Sequence, residues 1–144
     1  MSDATAAQAP HSHEGVTILE LGGLRFEVSF RGPGATLRVL GKSDSDAGWA
    51  EILRFDDFIE EPHFHAPAEN RMAFDRALGE PLAWYLEQIS DHLAEWMERA
   101  GFATLIGSVD FEAISRNIGA LEDAMVQCVP EGYARIPGVG LQRV

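Results

Sequence analysis

The chain has 144 residues, 46% of them hydrophobic and 24% charged, which suits one globular domain with a core large enough to need no covalent staple. Eleven basic against 23 acidic side chains give a formal net charge of −12; this opposes close approach to phosphate backbones and anionic lipid, so nucleic-acid and membrane partners are not expected. The single cysteine, Cys128, rules out an internal disulfide and a multi-cysteine zinc site, and it fits a reducing cytoplasm.

Residues 1–14 are rich in alanine and polar side chains without periodicity, and they read as a flexible lead-in to a single domain over 15–144. They lack the basic and apolar regions of a secretory leader, and no later stretch approaches the roughly 18 apolar residues of a membrane helix. From Val16 the pattern is that of strands. VTILEL and LRFEVSFR flank a Gly-Gly pair; Leu24, Phe26, Val28 and Phe30 alternate with Arg25, Glu27, Ser29 and Arg31, so one face is apolar and the other polar. RGPGA turns the chain into TLRVLGK, and SDSDAG (residues 43–48) forms a second polar turn before WAEILRFDDF. Short links leave no room for helical crossovers, so a four-stranded antiparallel meander is expected.

After residue 80 the period changes to that of a helix. Pro81 suits a first helical turn, Leu82, Tyr85, Leu86, Ile89, Leu93, Trp96 and Met97 form an apolar stripe, and Gly101 supplies the C-terminal cap. Asp110 caps a second helix, which carries Ile114, Ile118, Leu121 and Met125 until Pro130 ends it. RMAFDRAL (71–78) is too short to assign. The C-terminal EGYARIPGVGLQRV either adds an edge strand or packs across the surface. The fold class predicted is α+β: about four antiparallel strands with two main helices on one face, the other face open to water or a second subunit. A homodimer is expected on that ground.

The stretch EEPHFHAPAEN concentrates the chemistry. Residues two apart on an extended backbone point the same way, so His63 and His65 present two imidazoles together, with Asp56, Asp57, Glu60, Glu61 or Glu69 available as an oxygen ligand for a divalent metal. The spacing His63-x-His65-x-x-x-Glu69 resembles the first metal motif of the cupins, but the helical sequence that follows leaves no strands for a double-sheet barrel. The competing reading is structural: prolines 62 and 67 rigidify a corner at which the histidines bond to carbonyls or carboxylates. Trp84 and Trp96 are 12 residues apart, on different faces of one helix, which makes Trp84 an interface candidate.

Arg54-Phe-Asp-Asp-Phe58, Pro62-His-Phe-His65, Gly79-Glu-Pro-Leu-Ala-Trp84 and Arg99-Ala-Gly-Phe102 together resemble a small bacterial family known only as a domain of unknown function, over about residues 50–105. The resemblance implies that the strand, the histidine corner and the long helix form one unit, and it brings no activity with it. Two functions are carried forward. One is a non-catalytic acidic binding or regulatory module acting through protein contacts. The other is a metal-dependent enzyme or small-ligand binder centred on His63 and His65.

Overall fold

The computed structural model describes residues 11–42, 48–67 and 69–144. The expected turn over 43–48, except Gly48, and residues 1–10 of the lead-in lie outside them.

Seven strands form one antiparallel sheet in sequence order: β1 (His11–His13), β2 (Val16–Leu21), β3 (Leu24–Arg31), β4 (Gly34–Gly41), β5 (Ala50–Phe58), β6 (His63–His65) and β7 (Arg71–Ala73). The sheet therefore exceeds the expected four strands. The added three are each three residues long, too short for alternation to register in the sequence, and they are recruited by pairing onto longer neighbours. The histidine stretch is thus not simply a corner between sheet and helix. It is itself a strand, paired with β5 on one side and β7 on the other.

The long strands follow their pattern. Phe26 pairs with Val39, Val28 with Leu37, and Leu37 with Phe55, and all of these are buried on one face. Helices α1 (Pro81–Arg99), α2 (Phe111–Arg116) and α3 (Ile118–Gln127) cover that face, contributing Tyr85, Ile89, Leu93, Met97, Leu121 and Met125 to the same core. Each large side chain so buried stabilises the fold by about 1.5–3 kcal/mol. The helix ends form as their residues dictate: Asp110 accepts from the Ala113 amide at 3.0 Å, and Gly101, at φ 90, lets the Phe102 amide reach the Met97 carbonyl at 2.9 Å.

The second predicted helix is broken at Asn117, whose side-chain amide donates to the Ala113 carbonyl at 2.7 Å. Helix α1 is also interrupted, at His92 (φ −134, ψ 16). Trp84 and Trp96, which a straight helix sets on different faces, have ring centroids 6.5 Å apart, and both lie against Phe64 of β6, at 5.2 and 5.3 Å. The C-terminal segment does not join the main sheet as an edge strand. It forms a separate two-stranded hairpin of β8 (Tyr133–Ile136) and β9 (Gly140–Arg143).

Candidate functional site

The uncovered face of the sheet carries the polar partners of the core residues. Thr36 pairs with Asp56 in register and Asp56 with His63, while Arg38 pairs with Arg54 and Arg54 with His65. Alternation within each strand then puts Thr36, Arg54, Asp56, His63 and His65 on this one face. Asp56 is 2% exposed, and both histidines are 7% exposed. A buried carboxylate is tolerable only if its oxygens are bonded, and these are. Oδ1 accepts from the Thr36 hydroxyl at 2.9 Å, while Oδ2 meets Arg54 Nε at 3.2 Å and His63 Nε2 at 3.0 Å.

The hydrogen bonds define the histidines' roles. His63 Nδ1 lies 2.8 Å from the Glu61 carbonyl oxygen, so it donates there, and Nε2 is left facing Asp56. Both ring nitrogens of His63 are engaged inside the chain. His65 Nε2 accepts from Arg54 Nη2 at 2.8 Å, so its 3.4 Å approach to Asp56 Oδ2 is a meeting of two acceptors beside a shared guanidinium. The Tyr85 hydroxyl, fully buried on α1, is 3.0 Å from the Asp56 carbonyl and 3.1 Å from the His63 carbonyl, which ties the helical layer to both strands of the site. Burial, with Asp57 and Asp56 nearby, pushes this phenol above its usual range, so it remains a donor.

Of the acidic candidates, only Asp56 joins the histidines. Asp57 is next in sequence and therefore points to the opposite face, where it pairs with Arg135 of β8. Glu61 contributes its backbone carbonyl, and its side chain is exposed; its φ of 52 is left-handed, an uncommon state for a residue with a Cβ, and the turn it makes brings that carbonyl to His63. Glu60 and Glu69 are exposed and outside the cluster. Trp84 is half-buried, packed on Phe64 and, at 5.7 Å, on Phe74. Arg54, Thr36 and Arg31 were not singled out in the sequence. Arg54 had a usable signal, because it stands two residues before Asp56 on a strand.

One ligand atom each from Asp56, His63 and His65 lies within 4.8 Å of the other two, a two-histidine, one-carboxylate set suited to a first-row transition metal. The Glu61 bond to His63 Nδ1 is also the kind of outer contact that orients a ligating imidazole. Against this, the Arg54 guanidinium already bonds two of the three ligands, so a metal dication would have to displace it. Beside the centre opens a cleft of about 100 Å³, lined by Arg31, Thr36, Arg54, Asp56, Phe58 and His63.

Fold and site together define an α+β domain, an antiparallel sheet backed by helices with a buried polar centre on its open face. The chain belongs to the family described as Domain of unknown function (DUF7700), whose model matches residues 18–125. That match begins within β2, takes in β3 to β7 and most of the helical layer, and ends before the C-terminal hairpin. No curated protein and no solved structure matches the chain.

Proposed function

We propose that this chain is a non-catalytic binding module and that the centre around His63 and His65 receives a small anionic group, a carboxylate or a phosphate. The carrying observation is the cleft: Arg31 and Arg54 line it beside His63, and Arg31 makes no ion pair among the described residues. In a chain of net charge −12 this is a local reversal of sign. Asp56 pairs with Arg54, which leaves Arg31 as the cation of the cleft without a carboxylate partner. The space takes roughly the volume of three waters, enough for an anionic head group. Engagement of both His63 nitrogens supports binding over acid–base catalysis. Contact with a basic protein partner, the other form such binding would take, has the exposed acidic stripe Glu87, Asp91, Glu95 and Glu98 of α1 in its support, and the cytoplasmic location stays part of this proposal.

The test is thermal unfolding in sodium phosphate and sodium acetate against sodium chloride of equal ionic strength. A ligand that binds only the folded state raises the melting temperature in proportion to its occupancy. Phosphate or acetate should raise it above the chloride control, and Arg31→Ala, an exposed substitution, should abolish the difference. Equal melting temperatures in all three salts would sink the reading. The second reading, a divalent metal on Asp56, His63 and His65, rests on their convergence. It requires a zinc-dependent rise that is lost in the His63→Ala/His65→Ala variant, measured on protein lacking residues 1–14 so that His11 and His13 do not contribute.

A further inference from the structure

The cleft beside His63 coincides with a gap in the side-chain rows of the open face. Arg31 of β3 pairs with Gly34 of β4, and Gly34 with Phe58 of β5, so the three form one row across the sheet, next to the row that carries Thr36, Asp56 and His63. Adjacent strands stand about 4.8 Å apart, which sets the Arg31 and Phe58 backbones roughly 10 Å apart with no side chain between them. Packing fixes this gap. Gly34 has φ 154, and a Cβ there would lie 2.4 Å from the Asp57 carbonyl oxygen and 2.8 Å from Phe58 Cα, so the position accepts glycine alone.

The two sides of the gap differ in chemistry. On one stands Arg31, exposed and without an ion pair among the described residues; on the other stands the half-buried Phe58, whose ring meets His63 edge-on with centroids 5.2 Å apart. Both line the cleft, and so does Asp56, 2% exposed and bonded on both oxygens. A phosphate dianion entering here sets two charges against that carboxylate and puts polar oxygens on Phe58. A carboxylate brings a single charge and can carry an apolar group. The volume of about 100 Å³ limits that group to a few carbons. Resting on the anion reading above, we propose that the ligand is a short-chain aliphatic monocarboxylate, its carboxylate at Arg31 and its alkyl group on Phe58.

The experiment is an NMR titration of the protein with sodium phosphate, acetate and propionate at one pH and one ionic strength. Propionate should bind about fourfold tighter than acetate, the worth of one buried methylene, and phosphate more weakly than either. Phe58→Ala should bring propionate to the affinity of acetate. The wild type supplies a readout that does not depend on the folding of that variant: the methyl protons of bound propionate should show nuclear Overhauser contacts to the Phe58 ring. Arg31→Ala should weaken all three ligands. If phosphate binds as tightly as propionate, if propionate binds no tighter than acetate, or if its methyl group makes no contact with Phe58, the monocarboxylate proposal fails and the anion reading stands. If none of the three binds, both fail.

Discussion

Two neighbouring aspartates show how far a single position decides a side chain's role. Asp56 faces the open side and is bonded on both oxygens; Asp57 faces the core, 1% exposed, bonded to Arg135 through one oxygen while Oδ1 has no partner. Burial raises the Asp57 proton affinity above that of an ordinary aspartate, and Arg135 only partly reverses this. Between 3.8, the unreacted aspartate value, and the higher folded value, the folded state holds more protons than the unfolded one. Stability from this group is therefore lost as pH rises through the window and recovered as it falls. Urea denaturation of the wild type and Asp57→Asn at several pH values from 4 to 7 isolates the effect: the variant should gain on the wild type as pH rises, and a trend of the opposite sign would refute the assignment. Arg135→Met, which leaves the buried carboxylate without its cation, should cost about 3–5 kcal/mol at pH 7, more than removing the carboxylate does.

At the scale of elements, the β2–β3 turn is the joint between sheet and helices. The Gly22 carbonyl accepts from the Asp110 amide at 2.9 Å, at the cap of α2, and Gly22 has φ 59. A Cβ there would stand 2.4 Å from the Asp110 carbonyl oxygen and 2.9 Å from Ile114 Cγ1. Gly22→Ala thus combines left-handed strain with a backbone clash and should destabilise by about 2–4 kcal/mol; Gly15→Ala, also at positive φ (79) but with nothing within 4 Å of the added carbon, should cost clearly less. Equal losses in chemical denaturation would show that strain alone matters. The contrast between long and short elements also explains what the sequence reveals. β2 to β5 run six to nine residues, long enough for alternation to show, and α1 displays a full apolar stripe. β6 has only His63, Phe64 and His65, whose strand character comes from partners on β5 and β7, and the break at Asn117 is hidden because Ile114, Ile118 and Leu121 keep helical spacing across it. The pairing of the two histidines was legible by the same alternation, while Asp56 was one of five acidic candidates that the sequence left open. Arg54, two residues before Asp56 on the same strand, was not weighed as a site residue, and Glu69, one of the acidic candidates, lies outside the cluster, beyond the turn that follows β6.

For the whole molecule, the net charge of −12 is unevenly placed. Glu87, Asp91, Glu95 and Glu98 succeed one another at spacings of four, four and three, an exposed acidic stripe along α1, whereas arginines 25, 31, 38, 54 and 71 lie on the strands of the sheet. Those arginines would suit a phosphate backbone if free, but Arg25 and Arg38 are paired with Glu27, Arg38 also with Glu51, and Arg54 with Asp56. Paired cations release few counterions on meeting a polyanion, so the affinity they add is small and vanishes with salt. Among the described residues no helix is long and apolar enough to cross a membrane, and the acidic stripe of α1 repels an anionic lipid surface. The protein should therefore show no retention on duplex DNA or on phosphatidylserine-containing vesicles at about 0.15 M salt, where the Debye length is about 8 Å. Sedimentation with vesicles and a gel-shift titration measure this directly. Binding to either at that salt, abolished by Arg31→Ala/Arg71→Ala, would mean that two local cations outweigh the charge of the whole chain, and it would turn the small-anion site into one contact of a larger polyanion surface.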